Sequence, residues 1–369
     1  MPFAFADGFK FSDMERWQQE LQQCIRTLDK LETHVPTKNR ERMREVLKNM
    51  RLSITPHTAK LIDFTNPNDP LFLMGVPQER ELTVTPEELV DPIGDEAKSP
   101  IPFLTHRYKD RVLIYATFSC SHYCRFCFRR FKTGAANPGP SSDDVNRICE
   151  YLVAHPEIDE VILTGGDPLT LLDAQIEDWL RRLREIPTIA RIRFHTRVPV
   201  NLPSRITDNL VTVLDNHQDA THPIFLVTHF NHPREIATEN IEVIAKLVRA
   251  GVVIRNQSVL LRGVNDNVAT LTQLFKSLTN IRVVPYYLHQ LDLARGTNHF
   301  RVPLEQGIEL MRELQGNVTG IALPRYMLDL PGGHGKIPLT PIFLTKQATG
   351  TWLAEGPFRE QLRYDEPMV

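Results

Sequence analysis

Three cysteines, Cys120, Cys124 and Cys127, fall on a short loop directly after the apolar run 112–116, at a C-x3-C-x2-C spacing. A chain with such a loop must fold so that one strand end delivers three thiols to one place. Iron–sulfur clusters are held by cysteine thiolates, and a four-iron cubane takes four of them. With three, one iron stays open to a ligand that is not protein, which suits bound-ligand chemistry better than electron storage. A structural zinc site would need a fourth nitrogen or sulfur ligand at a recognisable spacing. The other cysteines, Cys24 and Cys149, lie on helical patterns, so His122 is the one local rival.

From residue 111 onward, short β-rich runs alternate with amphipathic helical patterns. The runs are 112–116, 160–164, 191–195, 224–228, 252–258 and 283–287; the helical patterns lie near 143–154, 172–184, 205–215, 234–250, 267–278 and 303–315. Units repeating at roughly 30 residues predict an α/β fold of parallel strands with crossover helices. Periodicity alone admits a partial barrel, a doubly wound sheet or a full eight-stranded barrel. Within the helix after the cysteine loop, Val145, Ile148, Cys149 and Leu152 share a face, which makes Cys149 a core residue.

Residues 1–100 read as a mostly helical accessory region. Trp17, Leu21, Cys24, Leu28 and Leu31 recur at helical spacing, so Cys24 is a small core residue, and the proline-rich, acidic stretch 54–102 wraps a surface. With 369 residues, 41% hydrophobic and 24% charged, the chain can bury a full core. A net charge of −2 argues against nucleic acid or an anionic membrane as partner. No apolar run approaches the ~18 residues of a spanning helix. Residues 1–17 lack the basic segment and apolar stretch of a signal peptide. Five cysteines, three of them clustered, do not form a secreted disulfide framework, so a reducing, cytoplasmic location is expected.

The cysteine loop, Thr117 to Arg130, resembles the signature of the radical S-adenosylmethionine superfamily. That resemblance implies a 4Fe-4S cluster whose open iron is chelated by the amino and carboxylate groups of S-adenosylmethionine, with reductive cleavage giving a 5'-deoxyadenosyl radical. It also decides among the folds, in favour of a partial (β/α)6 barrel over residues 101–345, preceded by the accessory region 1–100 and followed by a short tail, 346–369. Thr164-Gly165-Gly166-Asp167-Pro168 follows the second run and resembles the glycine-rich element that contacts the amino group of S-adenosylmethionine. Further motifs follow in order: Leu104-Thr105-His106-Arg107-Tyr108, His195-Thr196-Arg197, Thr228-His229-Phe230-Asn231-His232-Pro233, Asn256-Gln257-Ser258, Tyr286-Tyr287, Asp292, and Leu328-Asp329-Leu330-Pro331-Gly332-Gly333-His334-Gly335-Lys336. Together they resemble the lysine 2,3-aminomutase family from about residue 50 to about residue 345.

The resemblance implies pyridoxal phosphate on Lys336 as a Schiff base. A phosphate loop is no rival, because Leu330 and Ile337 stand where a Walker motif needs Gly and Ser or Thr. Arg107 and Arg111 are expected to clamp the cofactor phosphate, with Tyr108 beside the ring. Gly165, Gly166, Asp167, His229 and Gln257 are expected at S-adenosylmethionine. Arg129 matches the family arginine for the substrate carboxylate, and Asp292 and Asp329 match the carboxylates that receive the ε-ammonium of lysine. The implied reaction moves the α-amino group of L-lysine to the adjacent carbon, giving L-β-lysine, with an electron donor such as flavodoxin or ferredoxin. Alternatives are another cationic amino acid, a related aminomutase that serves elongation factor P modification, and a non-catalytic iron–sulfur or pyridoxal-phosphate-binding regulatory protein. Larger members carry a cysteine-bearing tail that binds zinc with a neighbouring subunit's cysteine. Here no cysteine follows Cys149, and Asn267 stands at the partner position, so no zinc site carries over and a homo-oligomer would need other contacts.

Replacing Cys120, Cys124 or Cys127 singly by Ala should abolish the brown iron–sulfur absorbance and S-adenosylmethionine cleavage in anaerobically reconstituted protein. A variant that keeps both would remove that cysteine from the ligand set.

Overall fold

The structure is a computed structural model and describes residues 14–134 and 139–367. Residues 1–13, which carry most of the expectation about a signal peptide, lie outside the described residues. Nine strands form one sheet in sequence order. They are β1 (Leu104–Tyr108), β2 (Arg111–Thr117), β3 (Glu160–Gly165), β4 (Arg191–His195), β5 (Ile224–Thr228), β6 (Val253–Leu260), β7 (Val284–Gln290), β8 (Arg325–Leu330) and β9 (Gly335–Pro338). From β2 to β8 every neighbouring pair is parallel, while β1 and β9 run antiparallel at the two edges. The fold is an α/β partial barrel.

All six expected runs are strands, and the six helical patterns are the helices Ser142–Ala154, Asp173–Arg184, Asp208–Asn216, Thr238–Arg249, Val268–Asn280 and Leu304–Asn317. The structure adds a seventh parallel strand, β8, whose residues the sequence motif had assigned to the loop before Lys336. Its short Arg-Tyr-Met-Leu-Asp-Leu run carries a charge at both ends of the apolar part, so period-two reading misses it. The helices cover the sheet's outer face because alternate strand residues point there. Val112, Ile114, Val161, Leu163, Ile192, Phe194, Ile224, Leu226, Ile254 and Leu288 join Ile148, Leu152, Leu180 and Leu274 in one buried core. The intervening residues, among them Arg193, His195, Gln257 and His289, are left for the lumen. Helix starts are set locally: Ser141 and Asp144 form a capping box, and Asn267 accepts a hydrogen bond from the Thr270 N–H.

No ladder joins β1 to β9, so the barrel is not closed by backbone pairing. The gap is crossed instead by Tyr108, whose Oη accepts the Lys336 N–H at 2.8 Å. Thus the strand that carries Lys336 is fixed across the seam by a single phenol.

The accessory region, residues 1–100, carries five short α-helices among the described residues. Its short helices, Arg16–Gln23, Leu28–Glu32, Arg40–Asn49, Pro56–Leu61 and Pro70–Gly75, wrap over the strand C-termini. Leu52, Ile54, Leu71, Phe72, Leu73 and Met74 pack with Phe126 of the cysteine loop and with Leu261, Val264 and Phe300. Cys24 is buried beside Trp17 and Leu21, as expected. One carboxylate ties this region to the loop: Glu81 accepts from Arg125 Nε at 2.9 Å and from Arg125 and Arg130 Nη2, all three side chains being about 1% exposed. Burial opposes the charge on Glu81, but Arg125 and Arg130 hold its carboxyl below the ordinary range. At the other end, the expected tail from residue 346 starts inside a strand. Residues Leu344–Ala348, Thr351–Glu355 and Gln361–Asp365 form a separate antiparallel three-stranded sheet, β10 to β12.

Removing one partner of a buried ion pair leaves an uncompensated charge. Glu81→Ala strands two guanidinium groups and should lower unfolding stability by roughly 3–5 kcal/mol in denaturant titrations; a loss below about 1 kcal/mol, the scale of an exposed pair, would show that the pair does not carry the junction.

Candidate active site

The cysteine loop leaves β2 and is clamped from both sides. The accessory region accepts its backbone: Tyr123 N–H donates to Ser53 O at 3.1 Å and Arg125 N–H to Met74 O at 2.9 Å, while Ser53 Oγ donates to Ser121 O at 2.7 Å. From the barrel side, the turn after β3 reaches up. Gly166 N–H donates to Thr117 O at 2.6 Å and Asp167 N–H to Ser119 O at 2.8 Å. A Cβ on Gly165 would lie 2.2 Å from Thr117 O, and one on Gly166 2.2 Å from Ser119 O, so both positions require glycine for the loop to dock. The Asp167 carboxylate is fully engaged within the protein, accepting from Thr196 Oγ1, the Arg197 N–H and the Leu169 N–H. Gly165, Gly166 and Asp167, expected at S-adenosylmethionine, therefore hold the loop that carries the cysteines.

Cys120, Cys124 and Cys127 are free thiols, each partly accessible. Burial first, and then each other's charge, pushes Cys127 up to about 11, and burial, Asp167 and the other two thiols push Cys120 well above its ordinary value. Thiols raised in this way, as Cys120 and Cys127 are, are suited to a cationic cluster that takes them as thiolates. Arg197 Nη1 donates to Cys124 Sγ at 2.9 Å while Nη2 pairs with Glu235, an orientation that sequence reading did not assign. His122, the rival zinc ligand, turns away and packs against Gly75, and among the described residues no group of three or more His, Cys, Asp or Glu is disposed to hold a single metal ion. The donor set fits a thiolate-held cluster. Asn267, in place of the family's partner cysteine, caps a helix.

Below the loop, Gln257 Nε2 lies against His229 Nε2 and 3.4 Å from His195 Nδ1. Burial, with help from Arg197, pushes His229 down to about 3, and burial with Arg193 pushes His195 well below its ordinary value, so both rings are neutral. His229 and Gln257 thus stand together. His195 joins them.

On β7 to β9, Lys336 Nζ donates to Asp329 Oδ1 at 2.6 Å, and His289 Nδ1 lies 3.4 Å from Asp329 Oδ2. Burial opposes ionisation of Asp329, but His289 and Lys336 hold it well below the usual carboxylate range. Asp292 is different: burial first and Asp329 second push it up to about 7, and its buried Oδ1 has no hydrogen-bond partner. Asp329 and Lys336 thus act on Asp292 in opposite directions, Asp329 favouring its proton and Lys336 its charge.

Arg129 Nε donates to Asp95 Oδ2 at 3.1 Å and Nη1 to Thr164 Oγ1 at 3.2 Å. Arg107 Nη2 donates to Asp95 Oδ1 at 2.9 Å and to Ile93 O at 2.8 Å. Asp95, missed in the sequence because it lies in an irregular acidic stretch, therefore joins the two arginines in one buried cluster. Arg111 instead stacks on the Tyr108 ring at 3.9 Å and pairs with Asp110. The expected pair of phosphate-clamping arginines is divided: Tyr108 and Arg111 stand beside the Lys336 strand, whereas Arg107 is committed to Asp95. Arg193, which was not singled out, pairs with Glu160 near the stacked Tyr286 and Tyr287, and Arg193, Arg255 and Tyr286 line a cavity of about 610 Å³ in the lower lumen. A half-buried lysine with a phenol, stacked aromatics and guanidinium groups within the same lumen fits a carbonyl cofactor bearing a phosphate. His289 and Tyr287 were also legible in principle, through the period-two alternation of β7.

Residues 114–274 match the family model described as the radical SAM superfamily, and residues 311–353 match the one described as lysine-2,3-aminomutase. The chain is 40% identical over 339 residues to the L-lysine 2,3-aminomutase of Clostridium subterminale, covering 91% of this chain and 80% of that one. It is 39% identical over 357 residues to the L-lysine 2,3-aminomutase of Acetoanaerobium sticklandii, covering 96% and 85%. The glutamate 2,3-aminomutase of Clostridioides difficile is similar to the same extent, 39% identical over 350 residues, covering 94% and 81%. Among the described residues no helix is long and apolar enough to cross a membrane. With a cysteine loop on the first parallel strand of a partial barrel and relatives of this identity along nearly its whole length, the chain belongs to the lysine 2,3-aminomutase family of radical S-adenosylmethionine isomerases.

Proposed function

We propose that this aminomutase acts on L-lysine, moving its α-amino group to the adjacent carbon to give L-β-lysine, with pyridoxal phosphate held at Lys336 and S-adenosylmethionine held at the cluster. The cluster and S-adenosylmethionine would supply a carbon-centred radical, and pyridoxal phosphate the carbonyl that activates the amino group; an electron donor of flavodoxin or ferredoxin type would feed the cluster. The chain's own residues do the positioning. Lys336 would release Asp329 when its amine binds the cofactor carbonyl, with Tyr108 holding its strand by the backbone N–H. Arg129, kept in place by Asp95 and Thr164, would take the substrate carboxylate.

The observation that carries the lysine reading is the pair Asp292 and Asp329. With Lys336 engaged elsewhere, two neighbouring buried carboxylates lose their lysine, and one of them already has an oxygen, Asp292 Oδ1, without a partner. An ammonium at the far end of the substrate relieves both; a third carboxylate would be repelled. This distinguishes lysine from glutamate, the named substrate of one relative. Arginine and ornithine share the cationic end, and elongation factor P modification by a related aminomutase is a second use of lysine chemistry.

In reconstituted enzyme, lysine should be the best substrate among lysine, ornithine, arginine and glutamate, with products read by chromatography and mass spectrometry. Asp292→Asn and Asp329→Asn should each cut lysine kcat/KM by about tenfold or more, the effect of a charged hydrogen bond. Preferred turnover of glutamate overturns the assignment. Borohydride followed by peptide mapping should place the pyridoxyl label on Lys336; a label on Lys132 or Lys346 refutes its role.

The pH dependence has a definite sign. Empty protein keeps a proton on Asp292 up to about pH 7, whereas an unfolded chain loses it near pH 4. Between those values the folded form binds the extra proton, so this group's contribution to stability, full below about pH 4, is lost as the pH rises through about 7. Unfolding titrations at about pH 5 and pH 8 should therefore show a smaller decline for Asp292→Asn than for the wild type. Because a bound ammonium favours the ionised carboxylate, lysine affinity should rise with pH toward 7 in the wild type and stay flat in the variant.

A further inference from the structure

His195 ends β4 and points into the lumen, between the residues expected at S-adenosylmethionine and those around Lys336. Its alternation partner Phe194 belongs to the outer core, which leaves the imidazole on the lumen face. Leu163 pairs with Phe194 in the parallel register, so the next residues along, Thr164 and His195, are lumen neighbours on adjacent strands. Thr164 Oγ1 is the group that accepts from Arg129 Nη1. Arg129 and His195 therefore flank one spot.

The hydrogen-bond pattern sets the tautomer. A primary amide has two N–H bonds, and Gln257 Nε2 stands against both His195 Nδ1 and His229 Nε2. With the amide nitrogen of Gln257 placed there, each ring accepts, which assigns the His195 proton to Nε2. That Nε2 is buried and has no hydrogen-bond partner. A buried donor without an acceptor is rare and costly in folded proteins. Burial first, then Arg193, keep the ring neutral, and because Arg107 and Arg129 share the one carboxylate of Asp95, the surplus positive charge beside Arg129 would draw an anion, rather than a cation, to this place.

We propose that His195 is a substrate-binding residue: its Nε2–H donates to the α-carboxylate of the amino-acid substrate, completing with Arg129 a two-sided carboxylate cradle. The proposal rests on the amino-acid reading above and adds a residue to it. Gln257 acts one step behind as the positioning residue, because its amide holds the His195 ring in the donating tautomer.

The experiment compares L-lysine with L-lysinamide, which keeps both amines and loses the carboxylate. Holoenzyme reconstituted with cluster and pyridoxal phosphate, without reductant, is titrated with each by calorimetry, and steady-state kcat and KM are measured with reductant. The variants are His195→Phe, which removes the donor, and His195→Gln, whose amide N–H can reach a similar position. In the wild type lysine should bind more tightly than lysinamide. His195→Phe should weaken lysine by about tenfold or more, the size of a hydrogen bond to a charged group, and leave lysinamide within about twofold, with the loss in KM rather than kcat. His195→Gln should recover much of the difference. An unchanged lysine-to-lysinamide ratio in both variants overturns the proposal while leaving the amino-acid reading intact. A wild type that does not distinguish the two ligands, or binds neither, counts against that reading itself. Should His195→Phe fail to fold, His195→Leu, which also removes the donor, takes its place, and an unchanged lysine-to-lysinamide ratio in that variant overturns the proposal.

Discussion

The approach of two backbones, the cysteine loop and the turn after β3, is the constraint on which the rest of the site depends. Thr117 O and Ser119 O accept from Gly166 and Asp167, at distances that leave no room for a side chain on either glycine. Asp167 then ties the same turn to the end of β4 through Thr196 and the Arg197 N–H, and Arg197 reaches back to Cys124. Three successive strand ends are thereby locked to one another beneath the cysteines. The chemistry proposed for Gly165, Gly166 and Asp167 as ligand contacts is secondary to this: without their close packing there is no loop geometry for a cluster to occupy.

A second constraint is charge. The lumen holds Asp95, Asp292 and Asp329 against Arg107, Arg129 and Lys336, in a setting where an unpaired ion is expensive. Asp95 is matched twice and Asp329 is matched by Lys336. Asp292 alone is unmatched, and its carboxyl responds by holding a proton to about 7. Asp292 Oδ1 and His195 Nε2 are both buried without a hydrogen-bond partner. A ligand with an anion at one end and a cation at the other satisfies both. That is the physical basis on which a basic amino acid is proposed as the substrate.

Rigidity is distributed to match these tasks. The accessory region and the cysteine loop share a core and the Glu81 ion cluster, so the top of the barrel is braced. By contrast, the β1–β9 seam has no ladder, and Lys336 sits on its edge strand with the Tyr108 phenol as the cross-link. A lysine proposed to change partners is better carried on such an edge than within a continuous sheet, where every backbone group is already paired.

The sequence by itself determined the elements and the chemistry that local spacing encodes. Three cysteines on one loop, six strand-and-helix units and the glycine turn were legible because each is set within a few residues, by thiol spacing, by periods of 2 and 3.6, and by steric need for glycine. Lys336, Asp292 and Asp329 were legible as types in motifs. Only the tertiary structure decided how the charges were divided. Arg107 pairs with Asp95, which lies 12 residues earlier in an irregular stretch, and Arg129 pairs with the same carboxylate from 34 residues away, so the phosphate-clamp arginines separate. It also decided that β8 is a seventh parallel strand, that the tail is a small sheet, and that His195 keeps an unmet donor. These outcomes depend on which groups are left in low dielectric after the barrel has folded, and that is a property of three-dimensional neighbours, which a pattern of residues along the chain does not contain.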